Sequence, residues 1–588
     1  MTDSMDITLK ERPRDGLVEE QAISLGYTPL QARVISGRLH GVPASQLRSL
    51  ITPASNEIDG PHALPDIDKA SRHLADAISA HTPIALVTDH DADGATSHAI
   101  LKHALITMGY PIGSLFSFLS HRMSEGYGVS DALVDRMLPQ LPPNTCIVTA
   151  DQGSTDEARI SRLVAAGHSV VVTDHHGIPE EGPPRSAHAV VNPVRRDSKF
   201  PDKAIAGCHT ALLVMAATRE LLIDRGSLAS DSPRVSDLLD YCAVGTIADA
   251  SSLAYSLNNR MIVQRGLRLM NSKPRPCWKA MRRLLNKDGD WTAADIAFQI
   301  ATRINARGRL TDAMLGVEFL CASTEEEAFN FLQELDANNR ERKEIEATLR
   351  CIAEPLAKAE IRDGRLGLCL WLGERSHAGV HGITATRIVE GFGVPTICLS
   401  PLAGDESIAT GSIRTTPYVN VLQTLTLIKQ RWPGLLLSAG GHRGAGGLKV
   451  KRSDIPALAD AWDTCVKEAY GEEKPSPHLL VDGLLETPCL DQVRELSALE
   501  PYGREFEQPV FMGTWRVSDM RLIGDGTHLK LRLSNSATTM DAVWFGANKD
   551  GVPPVGVGVT ARFAYCLDAQ SYRGNTRLQL VIRGIDLR

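Results

Sequence analysis

The stretch ALVTDHDADG, residues 85–94, sets three carboxylates directly after a short apolar run. Asp89, Asp91 and Asp93 repel one another, and burying them without a positive partner would cost free energy. Hard divalent cations such as Mg²⁺ and Mn²⁺ take oxygen ligands, so a metal site at the mouth of a buried strand is one interpretation. A turn rich in helix-capping aspartates is the alternative. The rest of the chain has to distinguish the two.

The composition predicts an ordinary globular protein. Its 588 residues suggest roughly three to four domains, and a hydrophobic content of 43% with 23% charged residues excludes wholesale disorder. The net charge of −7 leaves no overall basic footprint, so a nucleic acid would have to be held by a local patch. Eleven scattered cysteines without a C-x-x-C pair indicate a reducing compartment, with neither a disulfide framework nor a zinc site. A polar N-terminus and the lack of a long apolar run predict a soluble, cytoplasmic protein.

The pattern of strand, acidic loop and helix recurs after residue 94. Short strands over 146–148 and 169–172 are each followed by aspartate or histidine, and a predicted helix over 236–245 leads to Asp249. Strands that alternate with helices predict a doubly wound parallel sheet, whose ligands gather at the carboxyl ends of the strands. The residues expected to meet there are Asp89, Asp91, Asp93, Asp151, His175, His176 and Asp249.

This set of side chains predicts a particular chemistry. Carboxylates combined with imidazoles form a site that suits Mn²⁺ better than Ca²⁺. The set is large enough for two ions, which at about 3.5–4 Å apart would stabilise both the attacking and the leaving oxygen of a phosphoryl transfer. A bound ion also lowers the pKa of its water and supplies hydroxide near neutral pH. Metal-assisted hydrolysis of a phosphate ester is therefore expected.

The order DHDADG, ADQG, TDHHG and GTIAD resembles the four motifs of the DHH phosphoesterase superfamily. Residues 121–128 (HRMSEGYG) and 301–310 (ATRINARGRL) are similar to the R-x-x-E-G-Y-G and P-R-I-N-A-A-G-R-L stretches of the RecJ family. Residues 258–260 (NNR) stand where that family has E-N-R, and the match covers residues 60–588. The resemblance implies a single-stranded-DNA exonuclease that works from 5′ to 3′ and releases 5′-mononucleotides in DNA recombination and repair.

The resemblance also assigns roles around the acidic cluster. It implies two Mn²⁺ or Mg²⁺ ions, and its metal ligands are Asp89, Asp91, Asp93, Asp151, His175 and Asp249. Asp89 is expected as a ligand or as the partner of a ligand, and Asp93 as the carboxylate that bridges the ions. The residues expected to be catalytic are Asp91, Asp151, His175 and His176. His176 would face the scissile phosphate, and Asp174 would orient its neighbouring histidine.

Substrate contacts are expected from four further stretches. Arg303 and Arg309 would present guanidinium groups from a loop near the carboxylates, with Asn305 beside them; a solvated or carboxylate-paired arginine is the alternative. By resemblance, Arg122, Ser412 and Arg414 would hold the 5′-terminal phosphate. Gly441 and His442 belong to the glycine-rich run 440–447, which resembles the G-G-H motif of the DHH-associated domain, while a tight turn is the other interpretation.

The predicted fold class is α/β: a doubly wound parallel-sheet DHH domain, a long connecting helix, a second α/β DHH-associated domain and a C-terminal OB-type barrel. The connecting helix, or helix pair, over 323–354 is expected to end at Pro355. In residues 508–588, ten Lys and Arg against six Asp and Glu, with interleaved aromatics, suggest single-strand binding, with Tyr572 and Arg573 preferred. The expected domains are an N-terminal extension (1–65), the DHH domain (66–270), a helical connector with the RINARGRL loop (271–355), the DHH-associated domain (356–470) and the OB domain (476–588).

The partners implied are single-stranded DNA, a helicase and a single-strand-binding protein, with a monomeric chain and no membrane. Two alternatives stay open: a catalytically inactive single-strand-binding scaffold, and a DHH phosphodiesterase for small substrates. Three stretches depart from the RecJ pattern without touching the metal set, namely 205–213, 440–447 and 501–511. They put substrate contacts and partner surfaces in doubt.

Overall fold

The protein is represented by a computed structural model that describes residues 8–54, 58–121, 125–310, 313–471, 477–548, 551–572 and 575–587. The chain forms two compact units. The first unit comprises Arg14–Arg340 with Ser497–Gln508, and the second comprises Met1–Pro13, Glu341–Leu496 and Pro509–Arg588.

The strands, in chain order, are β1 (Thr8–Glu11), β2 (Ile84–Thr88), β3 (Leu115–Leu119), β4 (Cys146–Ala150), β5 (Ser169–Thr173), β6 (Ala189–Val191), β7 (Leu368–Trp371), β8 (Thr396–Leu402), β9 (Asp405–Arg414), β10 (Leu436–Gly441), β11 (Ala445–Lys451), β12 (His478–Val481), β13 (Phe511–Ile523), β14 (His528–Ser534), β15 (Thr539–Trp544), β16 (Thr560–Tyr572) and β17 (Asn575–Asp586).

The helices are α1 (Gly16–Ser24), α2 (Pro29–Ser36), α3 (Ala44–Ile51), α4 (Ile67–Ser79), α5 (Ala92–Thr107), α6 (Asp131–Met137), α7 (Glu157–Ala165), α8 (Gly207–Asp224), α9 (Leu239–Ala248), α10 (Leu257–Ser272), α11 (Pro276–Leu285), α12 (Ala293–Asp295), α13 (Ala301–Leu310), α14 (Met314–Cys321), α15 (Glu325–Arg362), α16 (His381–Phe392), α17 (Val421–Arg431), α18 (Ile455–Tyr470) and α19 (Leu490–Ser497). A π-helical turn, Ile296–Ile300, joins α12 to α13.

The first unit is built on a parallel sheet, as the sequence predicts, and the structure gives its strand order as β3-β2-β4-β5-β6. Its strands β2 and β4 are buried throughout, which fits apolar, β-branched segments covered on both faces. The chain leaves β2 toward β3 on one side and returns to β4 on the other. The strand order therefore reverses beside β2, and ligands of such sheets bind at this switch point.

The RINARGRL stretch is a helix, so the predicted loop is wrong. Residues 301–310 form α13, which continues the π-helical turn that precedes it. Ile304 and Ala306 are buried on one side of this helix. Arginine, alanine and leucine are good helix formers, and the buried apolar positions supply the packing energy that keeps even Gly308 helical.

The second unit begins within α15, which does not end at Pro355 as predicted but runs through it to Arg362. Proline removes one helical hydrogen bond and clashes with the preceding turn, at a cost of about 3 kcal/mol. Leu349, Ala353 and Ala357 lie on both sides of it and are buried in an apolar core with β7 and α16. Because this burial is continuous across the proline, the helix persists.

The rest of the second unit consists of a mixed sheet and a barrel. The sheet has the order β10-β11-β9-β8-β7, and strands β13, β14, β15, β17 and β16 close into a five-stranded barrel. This confirms the predicted OB-type domain. Trp515 and Tyr565 fill the barrel interior, whereas the Phe545 side chain is exposed. Arg573 and the side chain of Tyr572 lie outside the described residues.

Strand β1 pairs in parallel with β12 of the second unit, while α1–α3 belong to the first unit. The predicted extension 1–65 is thus divided between the units. Among the described residues, no helix combines the length and the apolar character that a membrane crossing needs.

Candidate metal centre

The seven residues that the sequence places at element ends converge in the first unit. Asp89 follows β2, Asp151 follows β4, His175 and His176 follow β5, and Asp249 caps the C-terminus of α9. Potential ligand atoms lie within 4.8 Å of one another in three groups: Asp89, Asp91 and Asp151; Asp93, His175 and Asp249; and Asp151, His175 and His176. Because Asp151 and His175 each occur in two of these groups, the groups form one continuous cluster.

Asp91 has a second task, since it caps the N-terminus of α5. Its Oδ1 accepts hydrogen bonds from the backbone N–H groups of Asp93 (2.9 Å) and Gly94 (3.1 Å). The remaining N–H of this first turn, that of Ala92, donates to Asn305 Oδ1 of α13 at 2.7 Å. Capping fixes the direction of the Asp91 carboxylate and leaves Oδ2 for another partner.

Asp93 is held by backbone groups that the sequence reasoning missed. At the N-terminus of α8 the N–H of Gly207 donates to Asp93 Oδ2 at 2.7 Å, and that of Cys208 donates to Oδ1 at 3.1 Å. A Cβ at Gly245 would lie 2.5 Å from Asp93 Oδ1, so only glycine fits beside this carboxylate. Burial and the neighbouring Asp249 raise the pKa of Asp93 to about 6.

Asp151 and His175 provide the test of whether these residues fit a cation. Asp151 Oδ1 and His175 Nε2 are 3.2 Å apart, and both are buried without a hydrogen-bond partner among the described residues. The Asp151 backbone has a φ of +60°, a region that non-glycine residues enter at a cost. Burial, followed by the repulsion of Asp93, raises the pKa of Asp151 well above its usual range. Buried polar atoms normally have partners, so these two donor atoms fit a divalent metal ion.

His176 and Asp174 form a hydrogen-bonded pair at the edge of the cluster. His176 Nδ1 lies 2.8 Å from Asp174 Oδ1, and the buried Asp174 also accepts the N–H of Ser154 at 3.0 Å. Burial works against protonation of His176, but its hydrogen bond to Asp174 raises the pKa of the imidazole to about 9. The side chain is 55% exposed, so a charged imidazole can meet a ligand from solvent.

Asp89 is oriented by two neighbours to which the sequence reasoning assigned no role. His90 Nδ1 lies 2.8 Å from Asp89 Oδ1, and the Ser120 hydroxyl donates to the same oxygen at 3.1 Å. Burial opposes ionisation of Asp89, yet the neighbouring His90 lowers its pKa below the usual value. Ser120 directly follows the last residue of β3, and β3 pairs with β2. This pairing places the Ser120 hydroxyl beside Asp89.

Arg303, which the sequence predicts to contact substrate beside the carboxylates, is engaged by other residues of the protein. Arg303 is almost fully buried, and its Nε donates to Asp336 of α15 at 2.9 Å while Nη1 donates to the Gln299 carbonyl at 2.8 Å. This is the carboxylate-paired alternative. Asn305, expected to bind substrate, contacts the acidic loop instead. Arg122 and the Arg309 side chain lie outside the described residues.

The expected phosphate residues of the second unit lie along one face of its sheet. The register sets Ser412 of β9 opposite Gly447 of β11, and Gly447 opposite Gly440 of β10. Directly paired residues share a face, so the surface beside Ser412 carries no side chains for the width of two strands. Arg414 follows on the same face and is partly exposed. We call this surface (Ser412, Arg414, Gly440 and Gly447) the glycine face.

The predicted G-G-H residues form the hairpin that borders the glycine face. The N–H of His442 donates to the Ala445 carbonyl at 2.9 Å, and its Nδ1 accepts the N–H of Gly444 at 3.2 Å. Gly441 has a φ of +147°, and an added Cβ would collide with Ala445. The tight-turn interpretation is therefore correct for the backbone, and the His442 side chain is exposed.

Two family profiles match this chain. The profile described as "DHH family, N-terminal domain" matches residues 83–246, which include all seven residues of the cluster except Asp249. The profile described as "RecJ OB domain" matches residues 484–584, which contain the closed barrel up to the last two residues of β17.

Similar proteins extend the match over most of the chain. The single-stranded-DNA-specific exonuclease RecJ of Escherichia coli (strain K12) is 33% identical over 533 residues, covering 89% of this chain and 90% of that protein. The crystal structure of RecJ in complex with Mn²⁺ from Thermus thermophilus is similar with a TM-score of 0.75 and 26% identity, covering all of this chain and 80% of that one. Its counterpart in complex with Mg²⁺ has a TM-score of 0.70 at 24% identity and 79% coverage of that chain, over all of this one.

Proposed function

This chain belongs to the RecJ family of single-stranded-DNA-specific exonucleases, and from that membership we infer that it hydrolyses phosphodiester bonds in single-stranded DNA. The observation that carries the inference is the cluster in the first unit, where four element ends bring five carboxylates and two imidazoles together. None of the predicted ligands is replaced. The cluster therefore does not favour an inactive scaffold, and the barrel would serve no purpose for a small substrate.

The direction of digestion and its product follow from the family resemblance. We propose that the enzyme starts at the 5′ end and releases 5′-mononucleotides during DNA recombination and repair. The glycine face supports a contact with a terminal phosphate. Gly440 and Gly447 carry no side chains, so a phosphate can approach the backbone beside Ser412 and Arg414.

The cofactor is proposed to be a pair of Mn²⁺ or Mg²⁺ ions. Related RecJ proteins are described in complex with each metal. Asp89, Asp91, Asp93, Asp151, His175 and Asp249 would hold them, with Asp151 and His175 shared between neighbouring groups. When bound, such ions supply a hydroxide nucleophile and neutralise the charge that develops on phosphate.

The protein groups around the ions contribute orientation and hydrogen bonds. The amides of Gly207 and Cys208 fix Asp93, while Asn305 and Asp91 together fix the first turn of α5. His176, directed by Asp174, is the exposed donor that would contact the phosphate undergoing hydrolysis. Rigidly placed donors of this kind stabilise developing charge without reorganisation during the reaction.

Features of the second unit support a role in holding the strand. Residues 407–453 contain seven Lys and Arg and no Asp or Glu, and they include the glycine face. On the barrel, Arg521 lies directly opposite Lys530, an arrangement of like charges that costs stability unless an anion joins it. Phe545 is 59% exposed and is a candidate platform for a base.

The proposed partners follow from the substrate. A single strand becomes available once a duplex is opened and is then normally covered, so we propose that a helicase and a single-strand-binding protein act with this enzyme. We propose that the chain acts as a monomer, since the cluster is complete without residues from a second copy.

The decisive experiment uses DNA labelled at the 5′ or the 3′ end, single-stranded or duplex, with Mn²⁺. We expect early release of the 5′ label as mononucleotide from single strands only. Asp151→Asn should abolish this, whereas Asp135→Asn, which changes an exposed carboxylate paired with Arg162, should not. Digestion from the 3′ end, or equal activity of Asp151→Asn, would contradict the proposal.

A further inference from the structure

Helices α10 and α11 carry an unusual charge composition. Residues 250–287 contain nine Lys and Arg and no Asp or Glu, in a chain whose net charge is −7. This is about twice the density of Lys and Arg in the whole chain, where they number 63 of 588. A cationic segment in an acidic protein needs either internal partners or an external anion.

Internal partners account for several of these cations. Arg260 is buried and donates to backbone carbonyls, among them those of Ile51 and Pro501. Carboxylates on other elements pair with three more: Asp240 with Arg275 (2.7 Å), Glu326 with Arg283 (2.7 Å) and Asp295 with Lys287 (3.0 Å). Arg265 and Arg282 are half-buried, and Arg282 donates to the Gly289 carbonyl. The other three, Arg268, Lys273 and Lys279, are exposed, and no carboxylate within the described ranges pairs with them. We call these three residues the basic face.

The three residues of the basic face follow one another along consecutive elements of the chain. Arg268 is in the final part of α10, Lys273 caps its C-terminus, and Lys279 is in the first turn of α11. Five residues of helix span about 7.5 Å, and six further residues cannot span more than about 20 Å. Over the chain length that separates these three residues, one DNA strand carries several phosphates.

Helix stability explains only part of this arrangement. Cations at the end of α10 interact favourably with the helix dipole, but Lys279 lies near the positive end of α11, where a cation is unfavourable. The free energy that Lys279 costs there is recovered if an anion binds. The position of this residue adds to the case for an anionic ligand.

The small number of apolar anchors indicates the kind of ligand. Of the large hydrophobic side chains of residues 250–287, all of which are described, only that of Tyr255 is exposed, and its hydroxyl donates to the Arg38 carbonyl. Protein interfaces are anchored by aromatic or aliphatic side chains, whereas a nucleic-acid backbone is held by phosphate contacts alone. The ligand chemistry that fits is the sugar–phosphate backbone.

We propose that the basic face binds the backbone of the substrate DNA outside the metal centre. Arg268 is eleven residues into α10, about 17 Å along the helix from its start, which itself follows Asp249. The contact thus belongs to DNA beyond the nucleotide undergoing hydrolysis. This inference rests on the proposed function.

The test compares Arg268→Gln/Lys273→Gln/Lys279→Gln with a charge-matched control, Arg72→Gln/Arg185→Gln/Lys199→Gln, which changes exposed cations of the same unit. Binding is measured across about 50–200 mM salt with an oligonucleotide of about 6 nucleotides, a single strand of about 40, and a duplex carrying a short 5′ tail. Metal is omitted so that the DNA stays intact. Circular dichroism checks that both variants are folded.

We expect the salt slope for longer DNA to fall by about 2, from roughly 0.7 per lost phosphate contact, and affinity at low salt to fall about 10-fold. Binding of the short oligonucleotide and its hydrolysis with Mn²⁺ should not change. Loss on the long strand or on the tailed duplex identifies which form of DNA occupies the face. Unchanged slopes on both, or an equal loss in the control, would overturn the proposal. Failure of the wild-type enzyme to digest single strands would instead contradict the proposed function.

Discussion

The metal centre of the first unit and the glycine face of the second unit are built in opposite ways. At the metal centre, carboxylates are buried among backbone amides, and a non-glycine residue adopts a left-handed conformation. At the glycine face, paired glycines leave part of the sheet surface without side chains, and two polar residues beside them are partly exposed. The first arrangement fixes charges before the substrate arrives; the second leaves space for a phosphate.

This difference predicts how each region responds to amino-acid substitution. Charges packed within 4.8 Å depend on one another, so changing one alters the pKa and position of the others. An exposed surface that binds a polyanion combines nearly independent contacts, each weakened by salt. Substitutions should therefore abolish turnover at the metal centre and weaken binding gradually at the glycine face.

The largest effect is expected for Asp151→Asn. The substitution should reduce the rate of hydrolysis by roughly 10³-fold or more, because it removes the negative charge of a carboxylate that belongs to two of the proposed ligand groups. Without metal the variant should be more stable than the wild type, since the burial and the carboxylate repulsion that together raise the pKa of Asp151 no longer act on a charged group. Thermal unfolding with EDTA and with Mn²⁺ tests both statements. A variant destabilised under both conditions would show that Asp151 has only a structural role.

Gly245→Ala should have the next largest effect. The new Cβ would lie 2.5 Å from Asp93 Oδ1 and displace the carboxylate from the amides of α8. We expect about 10²-fold lower activity and weaker Mn²⁺ binding by calorimetry. The matched control is Gly289→Ala, where an added Cβ meets nothing within 4 Å. Normal Mn²⁺ affinity in Gly245→Ala would mean that the amide cradle does not position Asp93.

At the glycine face, Arg414→Ala should raise KM for single-stranded DNA about 10-fold while kcat changes little. The effect should shrink as salt increases, because the contact is exposed and electrostatic. Arg387→Ala, which removes an exposed arginine paired with Glu390, is the control. A fall in kcat at saturating DNA would show that Arg414 acts in the chemical step. It would contradict the expectation that substitutions at the glycine face affect binding alone.

The smallest effect on DNA is expected for Arg303→Gln. Because Arg303 is paired with Asp336, its loss should change KM by less than about 2-fold. The free energy of unfolding should fall by about 1 kcal/mol, since the buried Arg303 side chain loses its hydrogen bonds to Asp336 and Gln299. Urea denaturation measures the second quantity, with Arg340→Gln as the exposed control beside the same Asp336. A large rise in KM would restore the substrate role predicted from sequence.

Local pattern and tertiary contact contributed differently to these results. The ends of β2, β4 and β5 were predictable because apolar strands stop where ligand residues begin, and parallel strands bring those ends to one edge. Arg303 was assigned to substrate because nothing near it in sequence indicates Asp336, which lies 33 positions later. The end of α15 was misplaced because a proline stops an isolated helix, whereas here buried residues on both sides of Pro355 hold the helix together.

The sequence alone was sufficient to predict the residues that we propose as ligands, the parallel sheet, the five-stranded barrel and the RecJ family, because each depends on residue types at fixed spacings along the chain. How the proposed ligands are held became visible in the tertiary structure: the amides of Gly207 and Cys208 fix Asp93, Asn305 completes the first turn of α5, and Gly245 leaves room beside them. Backbone donors and missing side chains leave no signature in a single sequence. Their roles arise only when α8, α9 and α13 pack around the acidic loop that follows β2.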